Sequence, residues 1–199
     1  MIDAELRRIL DPPLNRAGHY LARLGVRANQ ITILGFALGL MAVPLIILHA
    51  YEAALVMILL NRLCDGLDGA VARFSAMTDL GGFLDIVLDF IFYAAIVFGF
   101  VLAQPENASY GAYLIFSFIG TGSSFLAYST FAAKRGLTTS LRGTKSLYYL
   151  GGLTEGFETI VCLILLCLFP CSFWMIASIF GSLCLVTTAT RIYAAAKTL

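Results

Sequence analysis

Six long apolar runs, separated by short polar turns, dictate what this chain can fold into. They cover roughly residues 30–49, 52–74, 79–103, 109–132, 148–168 and 173–193, each close to the ~20 residues that an α-helix needs to cross a bilayer. They are continuous rather than alternating, which fits helices better than a barrel, whose strands would run ~10 residues with every second one polar. Hydrophobic residues make up 60% of the chain and charged ones 13%, against about 25% charged in globular domains. A soluble domain so composed would expose too much apolar surface. The expectation is an all-α membrane protein, one domain over 1–199, with a six-helix bundle from 28 to 199. No second domain, internal repeat or signal peptide is evident.

Residues 1–27 read differently. Asp11-Pro12-Pro13 should break the segment and start a new helix, with Asp11 as cap and proline in the first turn. Leu14, Ala17, Leu21 and Leu24 then recur at helical spacing, with Arg16, His19 and Arg23 between them. That pattern predicts an amphipathic helix lying in the headgroup plane. Asn29 is placed to cap the first span, and Gly35 and Gly39 form a GxxxG that lets helices approach closely.

Six spans put both termini, the turn at 74–78 and the polar loop at 134–146 on one side of the membrane. Of 13 Lys and Arg residues, all but Arg62 fall on that side. The positive-inside rule therefore makes it the cytoplasmic one. The net charge of +1 says nothing about partners by itself, and no nucleic acid is expected. The five cysteines sit in or beside apolar runs without zinc-site neighbours and read as packing residues.

Against this background the stretch 61–93 is anomalous. Asp65, Asp68, Asp85 and Asp89 lie within spans two and three, where a carboxylate costs about 2.5–3.5 kcal/mol at the helix centre. With Asp65 at zero on a helical wheel, Asp68 falls at about −60°, Gly69 at about +40° and Ala72 at about −20°. Gly81, Asp85 and Asp89 climb one face of span three. A short turn makes the two spans antiparallel neighbours, so the four carboxylates can converge just inside the cytoplasmic interface. They repel unless a cation neutralises them. An oxygen-only set suits Mg²⁺, Mn²⁺ or Ca²⁺. Arg73 can hold a phosphate in bidentate fashion, and the small residues leave room for a diphosphate.

Asp65-Gly66-Leu67-Asp68-Gly69-Ala70-Val71-Ala72-Arg73, seven residues, then Gly81, Asp85 and Asp89, resembles the signature of the CDP-alcohol phosphotransferase family. That signature is Asp-x2-Asp-Gly-x2-Ala-Arg, seven or eight residues, then Gly-x3-Asp-x3-Asp. All eight fixed positions match. Asn29-x2-Thr32 also resembles the family's Asn-x2-Thr. The resemblance implies transfer of a phosphatidyl or related group from a CDP-alcohol, such as CDP-diacylglycerol, to an acceptor alcohol, with release of CMP, in phospholipid synthesis. It implies Asp65, Asp68, Asp85 and Asp89 as ligands of Mg²⁺ or Mn²⁺, two ions in all, with Asp89 also the catalytic base. It implies Asn29, Thr32, Gly69, Ala72, Arg73 and Gly81 around the CDP. Lys134, Arg135, Arg142, Lys145, Glu155 and Arg191 are candidates for the acceptor, although the four basic loop residues read more readily as enforcing topology and Glu155 could equally pair with Arg191 as structure. A homodimer in a bacterial-type inner membrane is the expected setting.

Two other classes compete. An intramembrane prenyltransferase also holds Mg²⁺ on a diphosphate with two aspartate-rich helices, but Gly69-x2-Ala72-Arg73 and the span count argue against it. A transporter would show inverted repeats or paired broken helices, and neither is present.

Overall fold

In a computed structural model the chain is described over residues 2–136 and 152–199, with side chains from Asp11 onward. The described residues form helices without strands: α1 (Ile2–Arg23), α2 (Ala28–Leu40), α3 (Ala42–Ile47), α4 (Tyr51–Phe74), α5 (Asp79–Ala103), α6 (Ala108–Lys134), α7 (Gly156–Leu168) and α8 (Phe173–Thr198). Four stretches are long and apolar enough to cross a membrane: Ala28–Ile47, Asp79–Ala103, Pro105–Lys134 and Pro170–Thr198. Their outward faces carry large apolar side chains such as Leu34, Phe83, Ile119 and Trp174, each more than half exposed. That is the pattern of a chain whose solvent is lipid, and the protein is an integral membrane protein. α4 has spanning length, but Glu52, Arg62, Asp65, Asp68 and Arg73 interrupt its hydropathy. α7 has only 13 residues, and the expected start of the fifth span at 148 lies outside the described residues.

The chain divides into two units, residues 1–104 and 105–199. In the first, α2 buries Ile31, Gly35 and Gly39, four residues apart on one face. A Cβ on Gly35 would lie 2.5 Å from Cys64 Cβ of α4, and one on Gly39 would lie 2.8 Å from the Phe92 ring of α5. The GxxxG thus works within the chain, bringing α2 against α4 and α5. Between helices in lipid, association rests on such close van der Waals contact rather than on a hydrophobic drive. In the second unit, α6 and α8 pack together at Gly181, which faces Tyr113, and at Gly120, which faces Thr188. The Thr154 N–H and hydroxyl both donate to Thr187 Oγ1, at 3.0 and 2.9 Å, tying the segment before α7 to α8.

Three local expectations need correction. Pro12 and Pro13 do not break α1, which is continuous through both. Both prolines are exposed, and beyond them α1 is seated on α4, with Gly18 against Ala70 and Leu14 against Gly66. Packing outweighs the missing N–H groups. Asn29 does not cap α2. Arg27 occupies the cap position, its N–H donating to Gln30 Oε1 at 3.0 Å, and Asn29 lies inside the first turn. The first span is not one helix but breaks at Met41 between α2 and α3. Pro44 has no N–H for the Leu40 carbonyl, four residues back.

Of the N-terminal helix, Leu14 and Leu21 lie partly buried, whereas Ala17 and Leu24 are exposed, as are Arg16, His19 and Arg23. The buried face is the one that meets α4, and Tyr20 and, just past the helix, Leu24 are exposed apolar side chains among the basic ones.

Candidate metal and diphosphate site

The first unit holds a pocket lined by Thr32, Asn61, Arg62 and all four aspartates. Asp65 and Asp68 come from α4, Asp85 and Asp89 from α5. Thr78 starts α5 by accepting the Gly81 N–H on its hydroxyl at 3.0 Å. This cap fixes where α5 begins, and hence which turn presents Asp85.

Carboxylate oxygens of Asp65, Asp68 and Asp85 lie within 4.8 Å of one another. Asp68 is buried and accepts the Thr32 hydroxyl at 2.6 Å. A hydroxyl has one hydrogen, and the short contact with a carboxylate takes it in preference to the Ala28 carbonyl at 3.1 Å. Thr32 thereby orients Asp68, as a partner behind a metal ligand does. Three crowded carboxylates with no sulfur or nitrogen donor fit a hard divalent cation.

Asp89 is placed differently. Arg62 donates Nη2–H to its Oδ1 and Nη1–H to its Oδ2, at 2.5 and 3.2 Å, and the Tyr93 hydroxyl donates to Oδ2 at 2.9 Å. It lines the same pocket as the other three aspartates but stands outside their cluster.

The residues assigned to CDP fall into three groups. Thr32 is bound to Asp68. Asn29 lies beside Gly81, where an added Cβ would come 3.0 Å from Asn29 Oδ1, a tight contact from which the amide would have to shift. Gly69 faces open space bounded by Arg73 Nη1, and Ala72 is half-buried on the same helix. Arg73 itself is tied to α1, with Nε and Nη2 donating to Asn15 Oδ1 at 3.0 and 2.7 Å and Asp11 at 3.9 Å.

The acceptor candidates lie in the second unit. Lys134 and Arg135 are exposed at the C-terminal end of α6, where they complement the helix dipole. Arg142 and Lys145 lie outside the described residues. The Glu155 carboxylate accepts the Gly152 N–H at 3.1 Å, and the Glu155 N–H donates to Glu158 at 3.0 Å, so both glutamates cap α7. Arg191 is buried, donating to the Thr121 carbonyl at 3.0 Å and resting on the Phe125 ring.

Sequence reasoning missed Arg62, Asn61, Tyr93, Asn15 and Asp11. A signal existed for the first: an arginine inside a membrane span demands a carboxylate partner. Tyr93 follows Asp89 by one helical turn, the spacing at which side chains meet.

A family model described as CDP-alcohol phosphatidyltransferase matches residues 26–190. The chain is 52% identical over 200 residues to inner membrane protein YnjF of Escherichia coli (strain K12), covering 100% of this chain and 97% of that one. It is 37% identical over 100 residues to archaetidylinositol phosphate synthase of Pyrococcus horikoshii, covering 50% and 53%. Its fold resembles that of Mycobacterium tuberculosis phosphatidylinositol phosphate synthase (PgsA1) with CDP-DAG bound, at TM-score 0.67, 20% identity and 92% coverage of each chain. The same protein in complex with manganese and citrate gives TM-score 0.68 at 20% identity, covering 92% of this chain and 88% of that one.

Proposed function

The chain belongs to the CDP-alcohol phosphatidyltransferase family, and from that premise we propose that it transfers a phosphatidyl group from CDP-diacylglycerol to the hydroxyl of an acceptor alcohol, releasing CMP. The observation that carries this reading is the division of labour among the aspartates: three clustered at ligand distance, and a fourth held apart at the same pocket. Asp65, Asp68 and Asp85 would hold Mg²⁺ or Mn²⁺. When bound, the ion neutralises the diphosphate and polarises the phosphoryl group. Gly69 and Ala72 leave space for the diphosphate, and Arg73 adds a fixed positive charge beside it. Asn29 and Gly81 line the nucleotide. Asp89 accepts the proton of the acceptor hydroxyl as its oxygen bonds to the lipid-side phosphorus, and the phosphorus–oxygen bond to CMP breaks. Little covalent help is needed, and positioning with charge neutralisation supplies most of the rate.

Two similar proteins are named as synthases of inositol phosphate lipids. That favours a phosphorylated polyol as the acceptor. Lys134, Arg135, Arg142, Lys145, Glu155 and Arg191 are the candidates for recognising it. The test is CMP release by the purified protein with CDP-diacylglycerol and, in turn, inositol phosphate, glycerol phosphate, inositol and serine. Release should accompany lipid product for one acceptor, stop with EDTA and return with Mn²⁺ or Mg²⁺. No release with any acceptor, or release indifferent to chelator, would refute the reading.

The six-span topology, with the aspartates and both termini cytoplasmic, is part of the same proposal. Its support is the one-sided distribution of Lys and Arg, together with a relative named as an inner membrane protein. Cys171 is the exposed cysteine, at the end of α8 opposite Lys197. A membrane-impermeant maleimide should therefore label Cys171 in intact cells. In a Cys171→Ser background, Lys134→Cys should be labelled in opened membranes and not in intact cells. The reverse pattern would put the pocket on the wrong side for cytosolic CMP.

A further inference from the structure

Arg62 is the one basic residue that topology leaves unexplained, and its surroundings give it a purpose. A guanidinium has five N–H groups, and each has a partner here. Nε–H donates to Asn61 Oδ1 at 2.7 Å, and Nη2 donates to Asn61 Oδ1 and Asp89 Oδ1. Nη1 donates to Asp89 Oδ2 at 3.2 Å and to the Tyr93 hydroxyl at 3.3 Å. Its central carbon stands 5.1 Å from the Phe92 ring centre and 5.6 Å from that of Tyr93. Asn61 is itself buried and anchored, its Nδ2 donating to the Gly35 carbonyl at 2.9 Å. The guanidinium therefore cannot turn, and it has no donor to spare for a phosphate.

What this clamp leaves open is specific. A carboxylate offers about four acceptor positions. On Asp89, Oδ2 receives Arg62 Nη1 and Tyr93, and Oδ1 receives Arg62 Nη2. One position remains, on Oδ1, on a carboxylate that lines the aspartate pocket. Resting on the reading of Asp89 as base, we infer that Arg62 is a positioning residue: with Tyr93 it fixes the Asp89 carboxylate so that one lone pair of Oδ1 is presented to the acceptor hydroxyl. It acts chiefly through Asp89, with Nη1 a longer 3.7 Å from Asp65 Oδ2, and touches neither substrate.

A double-mutant cycle tests this. Arg62→Met keeps an unbranched apolar stem and removes the clamp. It should lower kcat by about 100-fold, the scale of a misplaced catalytic group, with KM for CDP-diacylglycerol unchanged. Arg62→Lys keeps the charge without the bidentate geometry and should restore part of the loss. In an Asp89→Asn background, Arg62→Met should cost nothing further, because residues that act as a unit are not additive. A purely structural arginine would cost the same in both backgrounds, and that result would overturn the inference, as would a loss confined to KM. If Arg62→Met does not fold, Arg62→Lys and Tyr93→Phe carry the same cycle with smaller losses. The two readings fail separately. Near-normal turnover by Asp89→Asn removes the base assignment, and with it any need to position that residue. A crippled Asp89→Asn on which Arg62→Met still takes its full toll removes the positioning role alone.

Discussion

Asp68→Asn should abolish metal binding and turnover together. Asp68 is the most enclosed of the three clustered aspartates, and its Oδ2 already accepts the Thr32 hydroxyl. Asparagine keeps the size, and its carbonyl can still accept that hydrogen, so the fold should survive. What is lost is a full negative charge among the three carboxylates proposed to hold a divalent cation. Removing a partner behind a metal ligand typically costs 10–100-fold in metal affinity. Removing the ligand's charge should therefore cost at least about 100-fold, the upper end of that range. Mn²⁺ titration by electron paramagnetic resonance, beside CDP-diacylglycerol binding and CMP release, should show all three failing in Asp68→Asn. Unchanged Mn²⁺ affinity would remove Asp68 from the ligand set.

Asp89→Asn should behave in the opposite way, with binding largely kept and chemistry lost. Asp89 stands outside the cluster of three, and its carboxylate is hydrogen-bonded to Arg62 and Tyr93. Nucleotide and Mn²⁺ binding should fall little. An alcohol is a poor nucleophile, and a positioned base contributes about 10²–10⁴ in rate. CMP release should drop by that factor with the true acceptor present. If Mn²⁺ binding collapses as it does in Asp68→Asn, Asp89 is chiefly a ligand.

The parts of this architecture that the sequence made legible are those enforced by a single strong constraint. The bounds of α5 are as expected and α4 begins one residue early, because a bilayer leaves little freedom in where an apolar run starts and stops. The aspartate pocket was legible because four carboxylates in apolar sequence have few physical explanations. What escaped was pairwise. Arg62 reads as an isolated charge until α5 brings Asp89 beside it, 27 residues later. Arg73 reads as a phosphate ligand alone, and the geometry also ties it to Asn15 on α1. The proline pair reads as a break, since nothing in residues 11–13 announces that Gly18 will dock on Ala70.

That docking sets a limit on how these sequences can drift. On α4, Ala70 lies about 160° around the helix from Asp68, so the aspartate faces the pocket and the alanine faces α1. A Cβ on Gly18 would stand 2.7 Å from Ala70 Cβ, and one on Gly66 would stand 2.9 Å from Leu14. At the first contact, against Ala70 Cβ and backbone, neither side can grow unless its partner shrinks, so substitutions at 18 and 70 should arise in compensating pairs, whereas the flexible end of Leu14 can turn aside from 66. The register of α4 is set by its aspartates and cannot slide to make room. α1 therefore inherits a constraint from chemistry in which its docking residues take no part.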